Sequence, residues 1–468
     1  MGNLNDIKFV KTNGGMGRTA ASEDPISGLV MYLPDLEDAD LINNSNARQF
    51  DTIEDADGTN DLYVAKLRCK EDLSDYGFPE WEKVKLSMLK TDYTASSEAA
   101  GFKKAAAKNA LVYHVTKFFE QNEEGTLYLA VKIVASSNVF GADLKALQNY
   151  TNGEIRQCGV FTPSLTYTTD TVGSDEVVTH KLLDEYQDAC NDSETGLEAE
   201  HKPMSVIMTV TGKTVTVGTS GDNMTVTPAA VTGVALNDFT TNTDADKPIK
   251  AGRCNVSLLI GCDLDATLVQ KLGNYAYYGC IGTCLGAISK AAVNECIAWV
   301  QKFPLGLTAP GLISGELIKD VSTTNQNKMN DNRYIFVRTH VGNADNYFND
   351  SHTCDVATSD YAYIENVRTI DKACRGVRAY LLPCLNSPLK VDATTGKLDA
   401  PMVAFLETTA SKALEDMEKA GELSGYKAEI DPDQPVISTG QVEVIIKNVP
   451  TGTMRKVNVK IGFTTSLS

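Results

Sequence analysis

The run Thr126-Leu127-Tyr128-Leu129-Ala130-Val131-Lys132-Ile133-Val134 limits the possible folds more than any other stretch of the chain. It is nearly all apolar, so it reads as a strand covered on both faces. Such a strand belongs to a largely parallel sheet with helices on either side. Its surroundings repeat the theme. A helix is predicted over 105–120, where Leu111, Val115, Phe118 and Phe119 recur at helical spacing. Further helices are expected over 143–150, 176–190, 266–275 and 279–300, and further strands over 157–161 and 255–260. Strands spaced by helices make an α/β unit.

The flanking regions are less regular. Residues 19–60 read as irregular apart from the apolar stretch 26–33. Residues 61–100 hold a strand over 62–67 and a short helix near Trp81. The segment 192–250 opens acidic and then becomes rich in Thr, Val and Gly at period two: Val206, Met208, Val210, a turn at Thr211-Gly212-Lys213, then Val215 and Val217. It reads as an inserted β-rich module. From 333 an α+β domain is expected. It has a strand over 333–339, a helix capped by Asp360 and running to Gly376, a second helix over 411–420 closed by Gly421, and a strand over 441–447.

Both ends of the chain read as strands with no obvious partner. Lys456-Val457-Asn458-Val459-Lys460-Ile461-Gly462-Phe463 alternates polar and apolar residues, and no return strand follows. Asp6-Ile7-Lys8-Phe9-Val10-Lys11 is a shorter run of the same kind. A strand buries its backbone and apolar face only by joining a sheet, in its own chain or in a neighbour. The candidate partner-binding residues are therefore Ile7, Phe9 and Val10 at the front, and Val442, Val444, Ile446, Val457, Val459, Ile461 and Phe463 at the back. The organisation that follows is an arm (1–18), the N-terminal region of the core (19–104), a first α/β part (105–191), the insertion (192–250), a second α/β part (251–330), a C-terminal domain (331–450) and a second arm (451–468).

Charge and composition narrow the function. The 468-residue chain carries a net charge of −18, which argues against a nucleic-acid binder. Residues 1–18 hold +2 and residues 440–468 hold +3, so the body between them carries −23. Basic ends on an acidic body attract further copies, although lysines also protect edge strands from sticking. No run is long enough to insert into a membrane, and no signal pattern opens the chain. Met1-Gly2 starts like a myristoylation site, but position 6 is Asp. The 11 cysteines contain no CxxC pair and read as reduced thiols of a cytoplasmic protein, mostly buried.

The sharpest candidate for chemistry follows the third core strand: Gly261-Cys262-Asp263-Leu264-Asp265-Ala266-Thr267-Leu268. An apolar strand ending in Asp-x-Asp resembles the first motif of haloacid-dehalogenase-type phosphatases. That resemblance implies Asp263 as nucleophile and Asp265 as acid/base, with Mg²⁺ between carboxylates. The competing reading makes both acids caps of the next helix. It is favoured because two strands precede the motif and no Gly-Asp-x-x-x-Asp follows. Gly212-Lys213-Thr214 lacks the first glycine of a P-loop and reads as a hairpin turn. Gly279, Gly282 and Gly286 suit close helix packing, and Cys280 and Cys284 have no further ligand at metal spacing. No catalytic residue, cofactor or metal is assigned.

A family resemblance completes the reading. Residues 110–120 with 125–131, residues 295–303, and above all Asn332-Arg333-Tyr334-Ile335-Phe336-Val337-Arg338-Thr339-His340-Val341-Gly342 with Asn346-Tyr347-Phe348-Asn349-Asp350 are similar to contractile tail sheath proteins of bacteriophages. The turn Asn13-Gly14-Gly15-Met16-Gly17-Arg18 resembles that of one sheath subfamily. The resemblance implies a non-enzymatic virion subunit, assembled in the host cytoplasm into six-membered rings stacked helically around an inner tail tube. It implies an inward C-terminal domain, arms exchanged with neighbouring copies, and contacts to the baseplate and tail terminator. The alternatives are a phosphotransfer enzyme using Asp263 and Asp265, or another self-assembling virion component.

Overall fold

The computed structural model describes residues 24–42, 48–54, 61–84, 98–133, 140–162, 168–172, 175–179, 181–210, 212–229, 236–240 and 252–464. The N-terminal arm, with Ile7, Phe9, Val10 and the 13–18 turn, lies outside them.

Seven strands form the main sheet: β1 (Ile26–Tyr32), β2 (Asp51–Glu54), β3 (Asp61–Leu67), β4 (Thr126–Lys132), β5 (Gln157–Thr162), β6 (Ser205–Val210) and β7 (Val256–Leu259), in the order β7-β6-β5-β1-β4-β3-β2. The five strands from β7 to β4 run parallel, and β3 and β2 close one edge antiparallel. The all-apolar character of β4 follows from this, since it is buried from Leu127 to Lys132 between β1 and β3.

Helices α1 (Glu98–Gln121), α2 (Phe140–Tyr150), α3 (Lys181–Asn191) and α4 (Ile281–Lys290) cover the two faces. On one side Leu29, Leu129, Phe161 and Ile207 pack under Leu111, Val115 and Phe118 of α1 and Ile281, Leu285 and Ile288 of α4. On the other, Val30, Val160, Val206 and Met208 meet Leu144 and Leu147 of α2 and Leu183 and Tyr186 of α3. The two helices of the first layer nearly touch. A Cβ on Gly282 would lie 2.0 Å from the His114 carbonyl oxygen, and one on Gly286 would lie 2.5 Å from that of Phe118. The small residues of α4 are thus a packing surface, as expected.

Several sequence expectations need correcting. The apolar stretch 26–33, to which the sequence assigns no element, holds the central strand β1, between β4 and β5. Residues 205–210 are β6, paired parallel with β5 and β7, so the 192–250 segment is not one separable insertion. The hairpin within it is Thr214–Ser220 with Asn223–Ala229, turning at Gly221 (φ 62), not at 211–213. The helix predicted over 176–190 begins at Lys181, after a strand Asp175–Thr179. The helix predicted over 279–300 stops at Lys290. Of the 333–339 run only Val337–Thr339 forms a strand; Ile335 makes an isolated parallel bridge to Leu259 of β7, and Arg333 takes a positive φ of 72.

The C-terminal region builds its own small core. Helices α5 (Ile364–Leu381) and α6 (Ala400–Lys419) pack through Ala373, Val377, Ala410, Ala413 and Leu414. A two-stranded antiparallel sheet, β8 (Leu423–Glu429) with β9 (Ile445–Pro450), lies against them. Lys372 of α5 ties this unit to the main sheet, with its ammonium 2.6 Å from both Asp24 and Glu422. Arg368 donates to the Ala291 carbonyl at 3.2 Å.

Candidate assembly surface

After Pro450 the described chain enters no further secondary structure, and it is exposed from Gly452 to Thr464. The predicted terminal strand therefore exists as a sequence pattern without a ladder among the described residues. Its apolar face is open: Val457 is 64% exposed, Val459 78%, Ile461 94% and Phe463 111%. Four large apolar side chains at period two on a polar strand are not left in water by a chain that can bury them. Val442, Val444 and Ile446 are partly buried against the chain's own C-terminal clusters, with Ile446 on the inward face of β9. The outer face of β9 is Ile445 and Val449, 47% and 56% exposed.

The root of the tail is held firmly. The Arg455 Nε donates to the two Asp350 carboxylate oxygens at 3.0 and 3.1 Å, and an NH2 group donates to Glu365 Oε1. The guanidinium carbon lies 3.5 Å from the centre of the Tyr363 ring, on which Arg333 also bears at 4.8 Å. Ser351 Oγ donates to the other Glu365 oxygen, and the Ile364 amide donates to the Ser351 carbonyl at 2.9 Å. Burial raises the Glu365 carboxyl and Arg455 pulls it back down. Burial likewise opposes the Arg455 charge, but Asp350 and Glu365 outweigh it and raise its pKa. A second tie is close by, where Asn294 Nδ2 donates to Thr451 Oγ1 at 3.0 Å. None of this cluster was marked as a site from the sequence. Asp350 sat in a motif used only for resemblance, and Arg455 was counted only as charge.

Among the described residues β8 and β9 pair only with each other, so the sheet keeps open edges. Beside it runs a groove of about 930 Å³ between α5 and the two strands, lined by Thr369, Ile370, Ala373, Val377, Leu423 and Ile446 among others. A second cavity of about 490 Å³ separates α5 from the main body. There Asp371 is buried with one carboxylate oxygen unpartnered, and burial, opposed by Arg375, lifts its pKa to about 7.

The phosphatase-like acids have structural work. Asp265 caps the helix Ala266–Leu272, accepting from the amides of Thr267 and Leu268 at 3.1 Å each. Asp263 accepts from the amides of Thr308 and Ala309 at 2.9 and 2.8 Å. All 11 cysteines are free, and Cys280 and Cys284 are buried in the α1–α4 layer. Among the described residues no group of three His, Cys, Asp or Glu could hold a metal ion, and no helix is long and apolar enough to cross a membrane.

Comparison with solved structures finds the same fold over whole chains. The cryo-EM structure of the anti-feeding prophage (AFP) helical sheath in its contracted state matches with a TM-score of 0.50 and 14% identity, covering 100% of each chain. The PVC sheath complex of an extracellular contractile injection system, also contracted, matches with a TM-score of 0.51 and 11% identity, covering 100% of this chain and 99% of that one. At these identities the likeness is one of fold. No curated protein sequence matches. Two family models match in series, the DUF2586 N-terminal domain over residues 93–352 and the DUF2586 C-terminal domain over residues 360–468. The chain therefore belongs to the DUF2586 family.

Proposed function

We propose that this chain is the subunit of a contractile sheath. Copies polymerise helically around a rigid inner tube, and contraction of the lattice drives that tube through a cell envelope. The observation that carries this reading is the exposed, alternating tail at 456–463, which leaves a firmly anchored root beside a two-stranded sheet with open edges. In a lattice the tail of one copy becomes an added strand on the β8–β9 sheet of the next, its apolar side chains over the α5 groove. Backbone hydrogen bonds then supply affinity and the groove supplies register.

The fold likeness over whole chains to sheaths of contractile injection systems supports the same reading. The basic tail on an acidic body favours the approach of further copies. The inner tube, a baseplate and a terminator at the distal end are the partners this reading adds, with six subunits to a ring. Contraction needs no nucleotide in this account, because the free energy is stored in the lattice at assembly. The phosphotransfer alternative has no comparable support, since both of its acids accept backbone amides. Negative-stain microscopy of the purified full chain at increasing concentration tests the proposal. Striated tubes are expected, and discrete particles at all concentrations would overturn it.

A further inference from the structure

The Arg455 cluster lies where the two family modules meet. The N-terminal match ends at residue 352 and the C-terminal match begins at 360. Asp350 lies on the first side, and Tyr363 and Glu365 lie on the second. Two segments run together there: His352 bridges antiparallel to Tyr363, and the Thr353 amide donates to the Ala362 carbonyl at 3.2 Å. Arg455 sits across both segments. Its side chain is 26% exposed, against 13% for Asp350 and 4% for Glu365. From Lys456 to Thr464 the chain is exposed and in no helix or strand.

We propose that Arg455 is the root clamp of the C-terminal arm: by bridging Asp350 and Glu365 against the Tyr363 ring it pins the arm to the seam between the two modules, so that a load on the arm is borne at that seam and not by β9. The chemistry suits this role. A planar guanidinium can hold two carboxylates in a fixed fork while stacking on an aromatic ring, which an ammonium cannot do. Both carboxylates are largely withdrawn from water, so each loses a partner at real cost if the arginine leaves. The clamp thus joins three parts of the sequence, near 350, near 364 and at 455, where a shift of one module against the other also swings the arm. The inference rests on the arm being an assembly element, but its test does not require assembly.

Hydrogen exchange of the full-length monomer measures the clamp directly. Arg455→Gln should speed exchange of the Thr353 and Ile364 amides, which are bonded across the clamped seam, by about tenfold or more, and Arg455→Lys should recover only part of the protection. Since Arg455→Gln leaves two buried carboxylates unpaired, the neutral triple variant Asp350→Asn, Glu365→Gln, Arg455→Gln serves where the single one fails to fold. It should speed exchange of the same two amides by the same factor. Polymers of the triple variant should fragment to shorter tubes under shear that leaves wild-type tubes intact. Exchange at Thr353 and Ile364 unchanged from wild type in a folded triple variant would overturn the clamp. A wild-type chain that never forms tubes would sink the sheath reading and leave the exchange result standing.

Discussion

Val459→Asp separates a tail that docks on a neighbour from one that packs on its own chain. In the monomer Val459 is 78% exposed, so the substitution removes almost no buried surface there. Exposed substitutions of this kind change stability by within about 0.5 kcal/mol. The monomer's melting temperature should move by no more than about 2 °C, given that 1 kcal/mol corresponds to a few degrees in a chain of this size. In a docked strand the same position faces the α5 groove. Losing the valine's burial costs roughly 2 kcal/mol, and placing a carboxylate there without a partner adds roughly 2 to 3 kcal/mol. A total near 4 to 5 kcal/mol per contact is about a thousandfold in affinity. Polymerisation, followed by sedimentation and light scattering, should therefore disappear at concentrations where the wild type assembles fully. Val459→Thr, which keeps the shape and the strand propensity, should assemble at a moderately raised critical concentration. Val459→Pro removes a ladder donor and should fail like the aspartate. A fall of many degrees in the melting temperature of Val459→Asp, or assembly at the wild-type concentration, would refute the reasoning.

Three further perturbations test other parts of the structure. Replacing 192–250 with a short linker removes β6 from between β5 and β7 and should abolish soluble protein, whereas replacing only the Thr214–Ala229 hairpin should leave folding intact; circular dichroism of both deletions checks this. Asp263→Asn with Asp265→Asn weakens the acceptors for five amides and should cost about 1 to 3 kcal/mol in denaturant unfolding, while phosphatase assays with Mg²⁺ should read the same background before and after. Asp371, raised by burial to about 7, holds its proton in the folded chain over a range where the unfolded chain has released it. Its contribution to stability is present at low pH and is lost as pH rises from the ordinary carboxylate range through 7. Asp371→Asn should therefore flatten the fall in stability between pH 5 and 8 and leave the variant more stable at pH 8.

The α/β character was legible because a strand buried on both faces has an unmistakable composition, and β4, β5 and β7 all carry it. β1 was missed since 26–33 has no neighbouring helix on its N-terminal side to set up the alternation, and Ser27-Gly28 dilutes the apolar run. β6 was placed in an insertion because its own period-two pattern, Val206-Met208-Val210, continues smoothly into the real hairpin. Only parallel pairing to β5 and β7, a long-range fact, separates them. The exposed apolar face at 457–463 was readable from local alternation. The clamp was not, because Asp350, Glu365 and Arg455 are up to 105 residues apart and no local pattern links them.

Helical reconstruction of the assembled polymer tests the central claim most directly, by tracing residues 450–464 from each subunit. The account predicts that 456–463 leaves its own body at Arg455 and lies as an added strand beside Leu423–Glu429 or Ile445–Pro450 of a neighbouring copy, with Val457, Val459, Ile461 and Phe463 over that copy's α5 groove. A tail that returns to the β8–β9 sheet of its own subunit, or a lattice held together without it, would contradict the account.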